Sequence, residues 1–269
     1  MKAISIIGYH HSGKTTTATA LITMLSQLGY QVGSIKDIHN TAFRADNEGT
    51  NSWRHRQAGS RRVFARGTKD TALFFDQSLS FADMLAHLSG DFLIIEGMKD
   101  LSLPQILCIT RQSDLRGAEE KSADDEGLRS DLTVAIVVHP ALCQDDRVLQ
   151  MRSCGDIPVF HLPRDTKALL ALAVGKSVEP LPMVDPECCC ECGLSCEDMM
   201  RAIISGTRQR NECRMDTSGS LGIKVNGKPL PIVPFIQRLF QDQIEAFIRN
   251  LKGTEQADRI EITIRRKDD

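Results

Sequence analysis

Gly8-Tyr9-His10-His11-Ser12-Gly13-Lys14-Thr15 is the stretch on which the reading of this chain turns. A short apolar run, Ala3-Ile4-Ser5-Ile6-Ile7, precedes it, and a segment with helical spacing from about Thr16 to Leu28 follows. The pattern G-x4-G-K-T between a strand and a helix is that of a phosphate-binding P-loop. Gly8 lets the chain turn sharply as it leaves the strand. Backbone N–H groups from about His10 to Thr16 can then face one anion at a helix N-terminus, where unpaired donors and the helix dipole favour negative charge. Lys14 supplies a point charge to the β- and γ-phosphates, and the Thr15 hydroxyl can ligate magnesium. A glycine turn that merely happens to carry Lys-Thr is the plainer alternative. The position of this one, after a strand and before a helix, speaks for phosphate binding.

Working outward, Gly29-Tyr30 ends the first helix and Gln31-Val32-Gly33-Ser34-Ile35 reads as a second strand. That βαβ step predicts a parallel sheet. The stretch from Lys36 to Gly59 is polar, with His39, His55, several arginines and Trp53, the only tryptophan. It follows the carboxyl end of a strand, where open α/β sheets place ligands; a solvated loop leading into a surface helix is the alternative. Asp91-Phe92-Leu93-Ile94-Ile95-Glu96-Gly97 is a buried strand ending in a carboxylate, which puts Glu96 at the Walker B position.

Further strands are expected at Arg62–Ala65, Thr71–Phe75, Pro104–Ile109, Thr133–Val138 and Pro158–Leu162, the last strand of this sheet along the chain. Ser80 should cap a helix running to Leu88, with Asp83 at its N3 position, and Asp165 or Thr166 should cap another through Val174. Asp114 to Asp131 is almost all polar, without apolar periodicity, and reads as a surface loop. His87 is expected on an exposed helix face, and Cys108 as a small core residue.

The 269 residues suit one large domain or two, with 41% hydrophobic and 25% charged residues. A net charge of -2 implies no general polyanion-binding surface, so nucleic acid is not an expected partner. No apolar run approaches the ~18 residues that span a bilayer, and the N-terminus lacks a signal-peptide layout. A cytoplasmic chain without membrane association is expected.

A linker rich in proline, Ser177 to Pro186, divides the chain into a nucleotide-binding domain (1–176) and a smaller cysteine-rich α+β domain (186–269). The nine cysteines are clustered: Cys188, Cys189, Cys190, Cys192, Cys196 and Cys213 fall close together. An odd count and tight clustering in a cytosolic chain point to metal rather than disulfides. The spacing Cys189-x2-Cys192-x3-Cys196-x16-Cys213 suits the four thiolates of a [4Fe–4S] cluster. Zinc on four cysteines competes, a redox thiol run is a third possibility, and the choice of ligand among Cys188, Cys189 and Cys190 stays open. Beyond it, Gly222–Leu230 has the look of a hairpin turning at Asn226-Gly227. Pro234 to Leu251 is an amphipathic helix, and Ile260 to Arg265 alternates as a half-buried strand.

Residues 1 to about 175 resemble the MobB-type adapter proteins of molybdopterin-guanine dinucleotide biosynthesis. The matching pieces are Gly8 to Thr15, Leu28 to Val32, Ile35-Lys36-Asp37-Ile38-His39, and Asp46 with Ser52 and Arg54. Ala58-Gly59, Phe92 to Lys99 and Ile157 to Phe160 complete them, in this order. Lys36-Asp37 departs from the Lys-His common in that family, and the cysteine-rich extension is absent from its short members. Cys192-Gly193-Leu194-Ser195-Cys196 through Gly206 to Cys213 resembles small [4Fe–4S] domains of anaerobic redox subunits.

The resemblance implies a P-loop NTPase fold, a three-layer α/β unit around a mostly parallel sheet. It also implies GTP and Mg2+ as cofactors, weak GTP hydrolysis and frequent homodimers. The partner would be the molybdopterin guanylyltransferase, and the client a molybdenum or tungsten enzyme. Carried over by position, Gly8, His10, His11, Ser12, Gly13, Lys14, Thr15 and Thr16 would hold the nucleotide. Thr15 and Glu96 would hold magnesium, with Asp46 a weaker candidate, and Lys14 and Glu96 are the candidate catalytic groups. The guanine signal N-K-x-D is absent after Val138, where His139-Pro140-Ala141 stands. Two other readings stay open: a nucleotide-hydrolysing activator that gates electron transfer from its cluster, and a non-catalytic docking module.

Overall fold

The computed structural model describes residues 1–115, 130–182, 192–213, 221, 223–225, 228–230, 234–251, 260, 262 and 264. The loop expected at 114–131 therefore lies largely outside the described residues. So do Cys188, Cys189 and Cys190 and the hairpin turn at 226–227.

In chain order the strands of the first 182 residues are β1 (Lys2–Gly8), β2 (Val32–Lys36), β3 (Arg62–Arg66), β4 (Thr71–Phe75), β5 (Phe92–Glu96), β6 (Gln105–Ile109), β7 (Thr133–Val138), β8 (Ser153–Cys154) and β9 (Ile157–His161). The helices are α1 (Lys14–Gln27), α2 (Asn51–Gln57), α3 (Phe81–Leu85), α4 (Asp146–Gln150), α5 (Thr166–Lys176), α6 (Cys196–Ile204) and α7 (Pro234–Ile248). The main sheet runs β2-β5-β1-β6-β7-β9-β8 and is parallel except for β8, which pairs antiparallel with β9. Ile157–His161 is the last strand of this sheet along the chain, as expected. Outside it Ser153 and Cys154 add a short edge that is too brief to show periodicity.

Alternation along the buried strands sorts their side chains to two faces. Ile4 and Ile6 of β1 and Phe92 and Ile94 of β5 pack on α1 through Ala18, Leu21 and Leu25, and on α5 through Leu169, Leu170 and Ala173. Ala3, Leu93 and Ile95 turn to the opposite face. There Phe81, Met84 and Leu85 of α3 pack beside Met199 and Met200 of α6. Three layers result, with β1 near the middle and its loop at the carboxyl edge.

Helix α6 belongs to the segment placed beyond the linker, yet Met199, Met200 and Cys213 share one apolar cluster with Ala3, Leu93 and Ile95. The connection is bound down as well. Val178 bridges Ala3 in the antiparallel sense, and Arg210 donates to the Glu179 and Pro180 carbonyls at 2.9 Å each. The described cysteine segment thus covers one face of the P-loop sheet.

Strands β3 and β4 form a separate antiparallel pair, and β10 (Ile223–Val225) and β11 (Lys228–Leu230) pair with Val225 opposite Lys228, the register of the expected two-residue hairpin. Ser80 caps α3 by accepting from Asp83 N at 3.1 Å, though the helix stops at Leu85. Asp114, taken from sequence as loop, is buried. It accepts from the backbone N–H of Thr110 and Arg111 and from Arg111 Nε, closing a short 3-10 turn, Gln112–Leu115. The expected terminal strand is not formed at its described positions. Ile260, Ile262 and Ile264 are exposed and outside any strand, and 261, 263 and 265 lie outside the described residues. Among the described residues no helix is long and apolar enough to cross a membrane.

Candidate functional site

The loop after β1 is shaped from below. Gly8 lies with φ 153°, and a Cβ there would stand 2.5 Å from the Cys108 carbonyl and from Ser12 Oγ. Gly13 adopts φ 91° and begins α1 with no side-chain cap. The first turn of α1 carries no acidic residue. Its leading N–H groups are left to face an anion.

Beneath the loop lies a small polar core that sequence reasoning did not find. Thr17 Oγ1 donates to the Gly13 carbonyl at 3.0 Å and shares hydrogen bonds with His139 Nε2 at 2.9 Å and Cys108 Sγ at 3.5 Å. Burial pushes the Cys108 thiol up to about 12, and burial also lowers the His139 imidazole against the opposing hydrogen bond to Gly13. Both groups are thus favoured neutral, which leaves the positive charge of the site on lysines. His139 directly follows β7, at the place where the guanine signal N-K-x-D is absent. Its position after a buried strand was the only signal.

Lys14 Nζ donates to the Gly8 carbonyl at 2.9 Å and to the Tyr9 carbonyl at 2.6 Å, so the ammonium is held inside the loop. Desolvation lowers its pKa, opposed by Cys108 and Glu96 and aided by Lys36. Thr15 Oγ1 donates to Glu96 Oε1 at 2.6 Å. The structure therefore brings together Lys14, Thr15 and Glu96. Parallel pairing sets Ile6 opposite Glu96 and Lys36 opposite Glu96, which puts the carboxylate beside the loop. A hydroxyl and a buried carboxylate side by side fit a hard divalent cation such as Mg2+.

A cavity of about 950 Å³ opens above these groups, lined by residues 7–16, by 36–40 and by Glu96, Gly97, Lys99 and Leu142. All eight nucleotide-binding candidates from Gly8 to Thr16 line it. His10, His11, Thr15 and Thr16 are exposed at its mouth, but the Ser12 side chain is not: its Oγ is buried and has no hydrogen-bond partner among the described residues. The Ser12 N–H donates to the Tyr9 carbonyl at 3.3 Å, which closes the turn of the loop.

The polar stretch after β2 divides. Residues 36–40 reach the cavity above the loop, whereas Asp46, Trp53 and Arg56 line a second cavity of about 470 Å³. Asp46 is buried and accepts from Thr50 Oγ1 at 3.0 Å and Ser52 Oγ at 3.1 Å, which fixes the entry to α2. It does not line the cavity above the loop with Thr15 and Glu96, which corrects its expected place near magnesium.

Of the four expected cluster ligands, Cys189 lies outside the described residues. Cys192 and Cys196 are half-buried and Cys213 is buried in the apolar face under α6. Among the described residues no three His, Cys, Asp or Glu side chains are grouped to hold a metal. The described residues alone therefore make neither a [4Fe–4S] nor a zinc site.

Residues 3–133 match the family model described as molybdopterin guanine dinucleotide synthesis protein B, MobB. A Methanocaldococcus jannaschii chain, provisionally named a molybdopterin-guanine dinucleotide biosynthesis adapter protein, is 26% identical over 98% of this chain and 97% of its own length. That match runs through the cysteine-rich segment. A Haemophilus influenzae protein with the adapter name is 33% identical over 39% of this chain and 61% of its own. In fold, the chain is similar to a crystal structure of Bacillus subtilis MobB. The TM-score is 0.50 at 21% identity, covering 66% of this chain and 99% of that one. Family model and relatives together support the MobB-type family of molybdopterin-guanine dinucleotide biosynthesis for this chain.

Proposed function

We propose that the chain is a GTP-binding adapter in molybdopterin guanine dinucleotide biosynthesis with weak GTP hydrolysis. The observation that carries this reading is the juxtaposition of Lys14 inside the loop with the Thr15–Glu96 pair at 2.6 Å. Loop N–H groups and the α1 N-terminus would bind the phosphates. Lys14 would leave its two carbonyl partners for the β- and γ-phosphates. Thr15 and Glu96 would hold Mg2+, which supplies charge neutralisation on the phosphate oxygens. Glu96 is the one buried carboxylate of the cavity wall, and it would orient an attacking water. Among the described residues no arginine lines the cavity, and this accords with slow unassisted turnover. The partner on this reading is the guanylyltransferase that joins GMP to molybdopterin, with a molybdenum or tungsten enzyme as client and the adapter acting as a homodimer.

Base choice is tested by titrating the protein with GTP and ATP side by side in Mg2+. GTP is expected to bind at least about tenfold tighter, a difference of about 1.4 kcal/mol. Equal affinity, or a preference for ATP, would remove the guanine half of the proposal.

For the cysteine segment we propose a [4Fe–4S] cluster, supported by the spacing Cys189-x2-Cys192-x3-Cys196-x16-Cys213. No chemical step is assigned to it. Protein purified without oxygen should contain about four irons and four sulfides per chain. About one zinc without sulfide would make the segment a structural module instead.

A further inference from the structure

The ammonium of Lys36 stands at the metal-binding pair of the loop. Its Nζ lies 2.8 Å from Glu96 Oε1 and 3.1 Å from Thr15 Oγ1. Thr15 donates to the same Glu96 oxygen at 2.6 Å, so the three groups form one closed cluster. Sheet register fixes this meeting. Lys36 is the last residue of β2 and is paired with Glu96 at the end of β5. The carboxylate is firmly seated, with 11% of its side chain exposed, but the lysine side chain is 53% exposed and can swing away without disturbing the core.

We infer that Lys36 is a tethered cation that holds the Thr15–Glu96 seat while no nucleotide is bound and yields it to the divalent ion that arrives with the nucleotide. This rests on the nucleotide-site reading above. An ammonium and a divalent ion both draw on the Thr15 hydroxyl and the Glu96 carboxylate, and their like charges repel at such separations. Two consequences follow, opposite in sign. A free divalent ion must first displace Lys36, so the empty protein binds such ions weakly. A nucleotide without metal still meets the Lys36 charge, because Lys36 lines the same cavity as Lys14. The lysine thus couples metal entry to nucleotide entry.

The test uses Mn2+ alone, with free ion counted by electron paramagnetic resonance, on nucleotide-free full-length protein. Lys36→Met should bind Mn2+ about tenfold tighter than the unmodified chain, and Lys36→Arg, which keeps the charge, should stay weak. In a second arm a fluorescent GTP analogue is titrated with excess Mg2+ and again with EDTA. Lys36→Met should lose about tenfold in EDTA and change little in Mg2+. Thermal melting checks that each variant is folded. Identical Mn2+ affinities for Lys36→Met and the unmodified chain would overturn the inference. So would an equal loss of nucleotide affinity with and without Mg2+, which would make Lys36 an ordinary phosphate ligand. Mn2+ binding as expected with no nucleotide binding under any condition would overturn the nucleotide reading and leave the tethered cation standing.

Discussion

Lys14→Ala should lower nucleotide affinity on the order of 100-fold or more while leaving the fold intact. Truncating one partner of a desolvated charge pair costs about 2–5 kcal/mol, and each ~1.4 kcal/mol is tenfold in affinity. In the structure the Lys14 ammonium donates to two main-chain carbonyls, Gly8 at the end of β1 and Tyr9 just after it. Its removal therefore deprives the phosphates of a charge without opening a cavity among buried side chains. Stability and binding should separate. Calorimetric titration with Mg-GTP reads the loss, and thermal melting of the nucleotide-free variant should move by only a degree or two, consistent with a change of ~0.5 kcal/mol. Retained affinity would show that this loop does not hold a triphosphate. A melting point that fell in step with affinity would show that Lys14 serves the fold.

The sheet and the loop were legible because both are written locally. Continuous apolar strands such as Phe92-Leu93-Ile94-Ile95 declare burial on two faces, and the glycines and lysine of residues 8–15 occur at fixed spacing. His139 was not legible: it follows the end of β7, and only the sheet brings it to the loop. Lys36 was legible as the start of a polar, ligand-facing stretch after β2, but its meeting with Glu96 is set by the parallel ladder. Asp46 failed in the opposite way. A carboxylate in a polar loop looks available, but Thr50 and Ser52 hold it at the start of α2. The position of α6 was likewise hidden. Its apolar Met199-Met200 pair could serve a separate small core as well as the sheet face it covers.

Gly13→Ala is expected to be strongly damaging, its Cβ making the shortest contact found at any described glycine, and His139 explains why. A Cβ on Gly13 would lie 2.1 Å from His139 Cδ2 and 2.6 Å from Nε2. The ring cannot step aside cheaply, because it is buried under the loop and hydrogen-bonded to Thr17 at 2.9 Å. The backbone at φ 91° adds strain of its own for any residue with a side chain. Overpacking costs about 1–3 kcal/mol and the backbone conformation about 1–3 more. At about 2–4 °C per kcal/mol for a chain of this size, the melting temperature should fall by roughly 4–24 °C. The loop N–H groups would be displaced with the helix start, so nucleotide affinity should fall as well. The double variant Gly13→Ala/His139→Ala separates the two causes. It removes the ring but leaves the dihedral strain, and should recover about half of the lost stability, giving a coupling of ~1–2 kcal/mol between the sites. Strictly additive losses would mean that the loop and the end of β7 do not press on each other, and the histidine would then have no part in shaping the phosphate cradle.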